Sequence, residues 1–288
     1  MTKHRFIALD YMNRRLHHVD EAKPEMNWSV PTQGQLHDMQ LVGGGRVAVT
    51  HDDGWVFHDL VDGHEFGRVS IEGVKGVSAI RFLPDGRVFA GVNGPKGIEI
   101  LELDGKGNVL KSFDFTQFKQ IRQLHRTPEG TWLLTHHDGG LEVALNGSDR
   151  ILKSFSAPDI RYAYMLLRKA DVSHLLSGGY SRTTIEFEPG GRIVRQYAAP
   201  QPEGLESFYY SGFQLLADGH LVQANWNGHN DGDYKHGLKL FEFDESGSVV
   251  WSWIAPEGHV GSIIVFLILD GLDVSVLNDD VYGVMKAL

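Results

Sequence analysis

Two pentapeptides share one pattern, THDDG at Thr50 to Gly54 and THHDG at Thr135 to Gly139: each sets a histidine and an aspartate ahead of a glycine. An imidazole exchanges protons near neutral pH and ligates divalent metals, so His51 and His136 are candidate acid–base residues. The same pattern also suits a tight connector in which His and Asp cap backbone groups. A third segment, QANWNGHNDGDYKHG from Gln223 to Gly237, carries Asn225, Trp226 and His229 between two strand-like stretches. Trp226 offers an apolar platform with a polar edge, suited to a sugar face or to plain packing. The HNDGD run has the oxygen density of a calcium loop but lacks the frame and terminal Glu of an EF-hand, so a solvated loop is expected.

Several chemistries are excluded by what is missing. The chain has no cysteine, which removes disulfides, thiolate nucleophiles and cysteine-bound metals. No nucleophile elbow, P-loop or dinucleotide fingerprint opens a helix, so no nucleotide cofactor is expected. The GGG at Gly43 to Gly45 lies between strands and reads as a turn. A formal charge of −10 argues against a nucleic-acid partner. The run GSIIVFLILDGL is too short to span a bilayer as a helix and reads as a buried strand, so no membrane partner is expected. The N-terminus has no apolar core of signal-peptide length, which leaves the cytoplasm, or export with the signal peptide absent from this sequence.

The elements that must position these residues come from an internal repeat. VSAIRFLPDGRVFAGVNGPKGIEILELDGKGNVLKSF is a complete copy: strand, Gly turn, strand, polar connector, strand, turn, strand. The period is roughly 40–50 residues, that of a four-stranded propeller blade. Turns such as PDG, PEG, ADG and DESG fall where hairpins need Gly or Asp. Internal blades are expected at 36–73, 78–116, 121–157, 162–199 and 210–256. Residues 1–31 supply three strands of another blade, and 260–271 supply its missing first strand. The expectation is one all-β domain over 1–288, a six-bladed β-propeller closed by a blade from both chain ends, with 272–288 as a tail lacking any strand pattern.

Aligned blades bring two columns to one face of the ring. The end of the second strand reads Asp10, His51, Val92, His136, Gly178 and Asn225, flanked by Tyr11, Tyr180 and Trp226 among others. The start of the first strand reads His37, Ser78, Arg122, Tyr162 or Tyr164, Ser211 and Ser262. In propellers this face surrounds the mouth of the channel, where ligands commonly bind. His51, His136 and Tyr180 are therefore the candidate catalytic residues. Asp10, His37, Arg122, Asn225, Trp226 and His229 are the candidate substrate contacts, with Arg122 suited to a carboxylate. A divalent metal would need three or more converging ligands, for which His51, His136 and His229 are the candidates. Trp251 and Trp253 alternate on an outer strand and read as blade packing.

GFQLLADGHLVQANWNGH with GLKLFEFDESGSVVWSW resembles bacterial six-bladed β-propellers with NHL-like or quinoprotein-like repeats, in a group whose last blade carries an N-W-x-G-H segment. The resemblance implies the fold and a pocket-side loop at Asn225, Trp226, Gly228 and His229; it carries no reaction. The expected function is an enzyme acting on a carbohydrate or sugar acid by His/Tyr acid–base chemistry of lyase or hydrolase type, with or without a divalent metal. The alternative is a non-catalytic propeller that holds a ligand or a protein partner. Quinone-cofactor binding follows from the repeat resemblance alone.

Overall fold

The computed structural model describes residues 2–34, 36–146, 150–200, 209–228, 237–256 and 259–288. Its strands form six antiparallel four-stranded sheets. β1 (Arg5–Asp10), β2 (Arg15–Asp20) and β3 (Trp28–Pro31) start the chain. Blade one is β4 (Met39–Gly43), β5 (Arg46–His51), β6 (Gly54–Asp59) and β7 (Glu65–Ser70). Blade two is β8 (Val77–Phe82), β9 (Val88–Gly94), β10 (Gly97–Leu103) and β11 (Val109–Phe115). Blade three is β12 (Leu124–Arg126), β13 (Trp132–His136), β14 (Gly139–Ala144) and β15 (Arg150–Phe155). Blade four is β16 (Leu166–Arg168), β17 (His174–Ser177), β18 (Thr184–Phe187) and β19 (Ile193–Tyr197). Blade five is β20 (Tyr209–Leu215), β21 (Leu221–Trp226), β22 (Leu238–Phe243) and β23 (Val249–Ile254).

The ring closes as its repeat demands. β24 (Ile263–Ile268) pairs with β1 from Phe6↔Ile268 to Asp10↔Ile263, giving a closing blade in the order β24-β1-β2-β3. Every residue of β24 is buried, and a buried Ile, Leu or Phe contributes about 1.5–3 kcal/mol, so separating the chain ends is costly. The outermost strands alternate. On β23, Trp251 and Trp253 turn inward, edge-on to His4 at 4.7 Å and to Phe6 at 5.1 Å, while Val250 and Ile254 face out.

The tail folds across the ends of the inner strands. Gly44 and Gly45 donate to the carbonyls of Ser275 and Val274, Asn278 donates to Leu41, and Val284 bridges to Leu215. A Cβ on Gly283 would meet the Arg168 carbonyl at 2.8 Å, and Leu288 donates back to Gly271 after β24. Asp280 holds His125 Nδ1 at 2.8 Å, and Arg81 bridges His125 to Asp38. The tail therefore meets the ends of inner strands all round the ring and stoppers the channel there, leaving a void of about 20 Å³. Among the described residues, no helix is long and apolar enough to cross a membrane.

Candidate functional site

The opposite mouth opens into a cavity of about 410 Å³. Inner-strand starts supply His37, Arg122, Tyr162, Tyr164, Tyr209 and Ile264. The ends of second strands supply Tyr11, Met12, Tyr180, Trp226 and Gly228. The rings interlock edge to face: Tyr180 meets Tyr209 at 4.8 Å, Tyr209 meets Trp226 at 5.7 Å and Tyr162 meets Tyr180 at 5.6 Å. Tyr11 stacks on His37 at 5.4 Å. Such pairs fix the walls in place before any ligand arrives.

Among the described residues, Arg122 is the only formally charged side chain in this lining, and no carboxylate pairs with it. One of its guanidinium nitrogens donates to His37 Nε2 at 3.2 Å. Burial, with Arg122 beside it, pushes the His37 imidazole down to about 3, so it is neutral at pH 7. Its Nε2 accepts, which assigns the ring proton to Nδ1. Tyr164 donates its hydroxyl to the His37 carbonyl, and Tyr209 donates to the Tyr162 carbonyl at 2.7 Å. Burial pushes both phenols up, against the Arg122 charge, so they remain hydrogen-bond donors. Tyr162 sits at φ 58°, a left-handed conformation that costs on the order of 1–3 kcal/mol and persists because its neighbours hold it. His137 O accepts its N–H at 2.6 Å. At Gly179 (φ 61°) a Cβ would lie 2.3 Å from the Arg161 carbonyl, so only glycine lets Tyr180 approach.

Four residues expected from the sequence meet here: His37, Arg122, Tyr180 and Trp226. Asp10 lies beneath, fully buried. Its carboxylate accepts from Gly261 N at 2.6 Å, Ser262 N at 3.1 Å and Asn13 N at 3.2 Å. Burial raises its pKa, but His17 and the backbone donors outweigh that and hold it below the usual range. It anchors the turn into β24. Asn225 is also buried and donates to the Leu238 carbonyl at 2.9 Å, tying β21 to β22. His229 lies outside the described residues.

His51 and His136 are not among the lining residues. His51 turns toward the outer strand of its blade, with Nδ1 3.0 Å from Asp53 and 2.9 Å from Arg68. His136 stacks on Phe118 at 4.6 Å, and its Nδ1 accepts the Asp138 N–H. Burial lowers its pKa. Among the described residues neither belongs to a trio of His and carboxylate groups close enough to share a metal ion. The glycines explain the shared pentapeptide. A Cβ on Gly54 would lie 2.1 Å from the Val69 carbonyl, and one on Gly139 2.2 Å from that of Phe155. The outermost strand passes too close for any other residue.

Sequence reasoning missed Tyr209, which lies beside Tyr210 on β20. Tyr210 instead accepts the Ala199 N–H at 2.8 Å, away from the cavity. Pairing of Tyr209 with Trp226 was the available signal, since cross-strand partners share a face.

No family model matches the chain, and no curated protein matches it. Solved structures do. A protein of unknown function from Bacteroides caccae is 21% identical with a TM-score of 0.75, over 92% of this chain and 98% of that one. Regucalcin, a calcium-binding protein from Agrobacterium tumefaciens, is 14% identical with a TM-score of 0.61, over 88% of each chain. A catalytically inactive virginiamycin B lyase from Staphylococcus aureus, with quinupristin, is 10% identical with a TM-score of 0.58, over 87% of this chain and 84% of that one. At such identities the likeness is one of fold. The chain is a six-bladed β-propeller, and its structural neighbours include a lyase and proteins of unknown function.

Proposed function

We propose that the tyrosine-lined cavity takes a small carboxylate-bearing ring compound of the sugar-acid type and carries out lyase-type acid–base chemistry on it. The observation that supports this reading is Arg122, the one cation among the described residues of an aromatic cavity, with no described carboxylate paired to it. A guanidinium binds a carboxylate through two parallel hydrogen bonds. Trp226 and the tyrosine rings give a sugar ring an apolar face to rest on. Once Arg122 turns to the ligand, His37 Nε2 loses its donor and becomes free to accept a proton.

The elimination then balances. His37 takes the proton from the carbon next to the carboxylate, a C=C bond forms, and the C–O bond to the leaving group breaks. The Tyr180 phenol returns a proton to the leaving oxygen. Arg122 stabilises the charge that develops on the carboxylate. The lyase among the structural neighbours and the resemblance to NHL-like repeats are compatible with a small-molecule site, without specifying it. Hydrolase chemistry would use the same groups with water as the acceptor.

A second reading is a binding propeller with no turnover, holding a ligand or a protein partner at the same mouth. It is favoured by the low basicity of His37, held at about 3 by burial and Arg122, and by the lack of any carboxylate among the described lining residues. One experiment separates the two. Thermal-shift titration with uronates and their neutral sugars is followed by incubation of the binders and detection of a new conjugated double bond by ultraviolet absorbance. Carboxylate-selective stabilisation with new absorbance supports the enzyme. Stabilisation without it supports the binding propeller. No carboxylate selectivity removes the sugar-acid site and leaves the propeller that holds a protein partner.

A further inference from the structure

On the face away from the cavity, four blades repeat one arrangement. An acidic residue in the turn after the first strand is matched by a glutamate on the third strand: Asp85 and Glu102, Glu129 and Glu142, Asp171 and Glu186, Asp218 and Glu242. The glutamates occupy equivalent registers, opposite Phe89, Leu133, Leu175 and Val222. Two like charges brought together need a cation between them. In blade two Arg87 supplies it, 2.7 Å from Asp85 and 2.6 Å from Glu102. In blade four Lys169 does, 2.6 Å from Glu186 and 3.6 Å from Asp171. In blade three the two acids have separate partners: Glu129 accepts from Arg168 at 3.0 Å, and the Thr131 hydroxyl donates to Glu142 at 2.6 Å.

Blade five fills this slot with a histidine. His220 Nδ1 lies 2.6 Å from Glu242 and 3.8 Å from Asp218. We propose that Asp218, His220 and Glu242 form a binding site for a divalent transition metal ion of the zinc class. One ligand atom from each lies within 4.8 Å of the others, and no other described trio meets that condition. Metal–ligand bonds of about 2.0–2.2 Å are within reach of small side-chain rotations from these positions. One imidazole and two carboxylates form a donor set suited to Zn²⁺, Ni²⁺ or Cu²⁺; Ca²⁺ prefers oxygen alone. Asp218 is exposed and gives the ion a path in, whereas Glu242 is buried.

The sister blades are the second line of argument, because the fold twice places a cation in this slot. Arg and Lys carry theirs permanently. Histidine brings a lone pair that a metal can use, with the proton shared with Glu242 released to solvent. Glu242 is further oriented through its other oxygen, which lies 2.8 Å from His4 Nε2. The other ring nitrogen of His4 lies 2.8 Å from Asp270. Such outer contacts aim a ligating carboxylate. His4 precedes β1 and Asp270 follows β24, so the bound ion would brace blade five against the closing blade.

The test uses the full chain freed of metal with EDTA, then titrated with ZnCl2 and followed by calorimetric binding and melting temperature. The native chain is expected to bind about one equivalent of Zn²⁺ that raises its Tm. His220→Arg restores the permanent cation of blade two, so it should melt at least as high without metal and lose the Zn²⁺ response. Asp218→Asn should weaken that equivalent at least tenfold, roughly the value of a charged ligand. His64→Ala, an exposed histidine elsewhere, should leave it unchanged. A native chain with no Zn²⁺ response, or a His220→Arg variant that responds like the native chain, overturns the proposal.

Discussion

Arg122 and His37 face each other across 3.2 Å, joining the residues ahead of β12 and β4 through a cation and a neutral imidazole. The pair is the polar end of an otherwise aromatic cavity, and it sets what that cavity can hold. Arg122→Gln is expected to lower affinity for a uronate by about 10- to 100-fold, the worth of one or two charge-assisted bonds. Affinity for the matching neutral sugar should stay within error. Calorimetric titration of both ligands on both proteins decides it; equal losses would remove the carboxylate from the proposal.

The buried, neutral state of His37 has a consequence for stability. An unfolded histidine titrates near 6.5, and the folded one titrates at about 3. Between those values the unfolded chain binds a proton that the folded chain does not, so stability present above pH 6.5 is lost as pH falls toward 3. His37→Gln should flatten the part of that decline between pH 6.5 and 4. Urea unfolding at intervals across the range gives the slope, and an unaltered slope would show that His37 is not held neutral.

His174 offers a second handle on the same slope. Burial, then Lys153 and Arg168, push it down to about 4, and among the described residues neither ring nitrogen has a hydrogen-bond partner. Its ring packs at a tilt of 35° against Phe155, with centroids 4.4 Å apart. Replacing an unpartnered buried polar group with an apolar one removes its desolvation cost of about 1–3 kcal/mol. His174→Leu is therefore expected to exceed the native chain at pH 7.5, and by a wider margin at pH 5. Lower stability at both pH values would refute the assignment.

Asp10 is expected to matter for closure and not for ligand affinity. Its carboxylate satisfies three backbone N–H groups and Asn13 Nδ2 at the junction of the two chain ends. Asp10→Ala leaves the buried Gly261 and Ser262 N–H groups unpaired, at a cost of about 3 kcal/mol. Denaturant midpoints report the loss, and hydrogen exchange should locate it in β24 and β1. Faster exchange elsewhere with β24 protected would contradict the anchoring role.

The ring was readable because its cause is local and repeated: turn glycines, apolar inner strands and a missing first strand at one end. The face of the site was readable too, since aligned strand ends must share a rim, and His37, Arg122, Tyr180 and Trp226 meet there. What a column cannot supply is direction. His51 ends the second strand of its blade as Asp10 and Asn225 do, yet its ring turns outward because Asp53 and Arg68 hold it. A one-residue change of phase separates Tyr209 in the cavity from Tyr210 outside it. The tail left no periodic trace because its pairings are single bridges to different strands, Val42 with Leu277 and Leu215 with Val284.

That same tail makes the cavity a cul-de-sac. With Asn278, Asp280 and Gly283 lodged against the far ends of the inner strands, whatever enters past Tyr11 and Trp226 must leave the same way. A long polymer cannot be threaded from one face to the other; only a free molecule or the tip of a chain fits. Arrival and departure then share one door, so one molecule held at Arg122 keeps out the next.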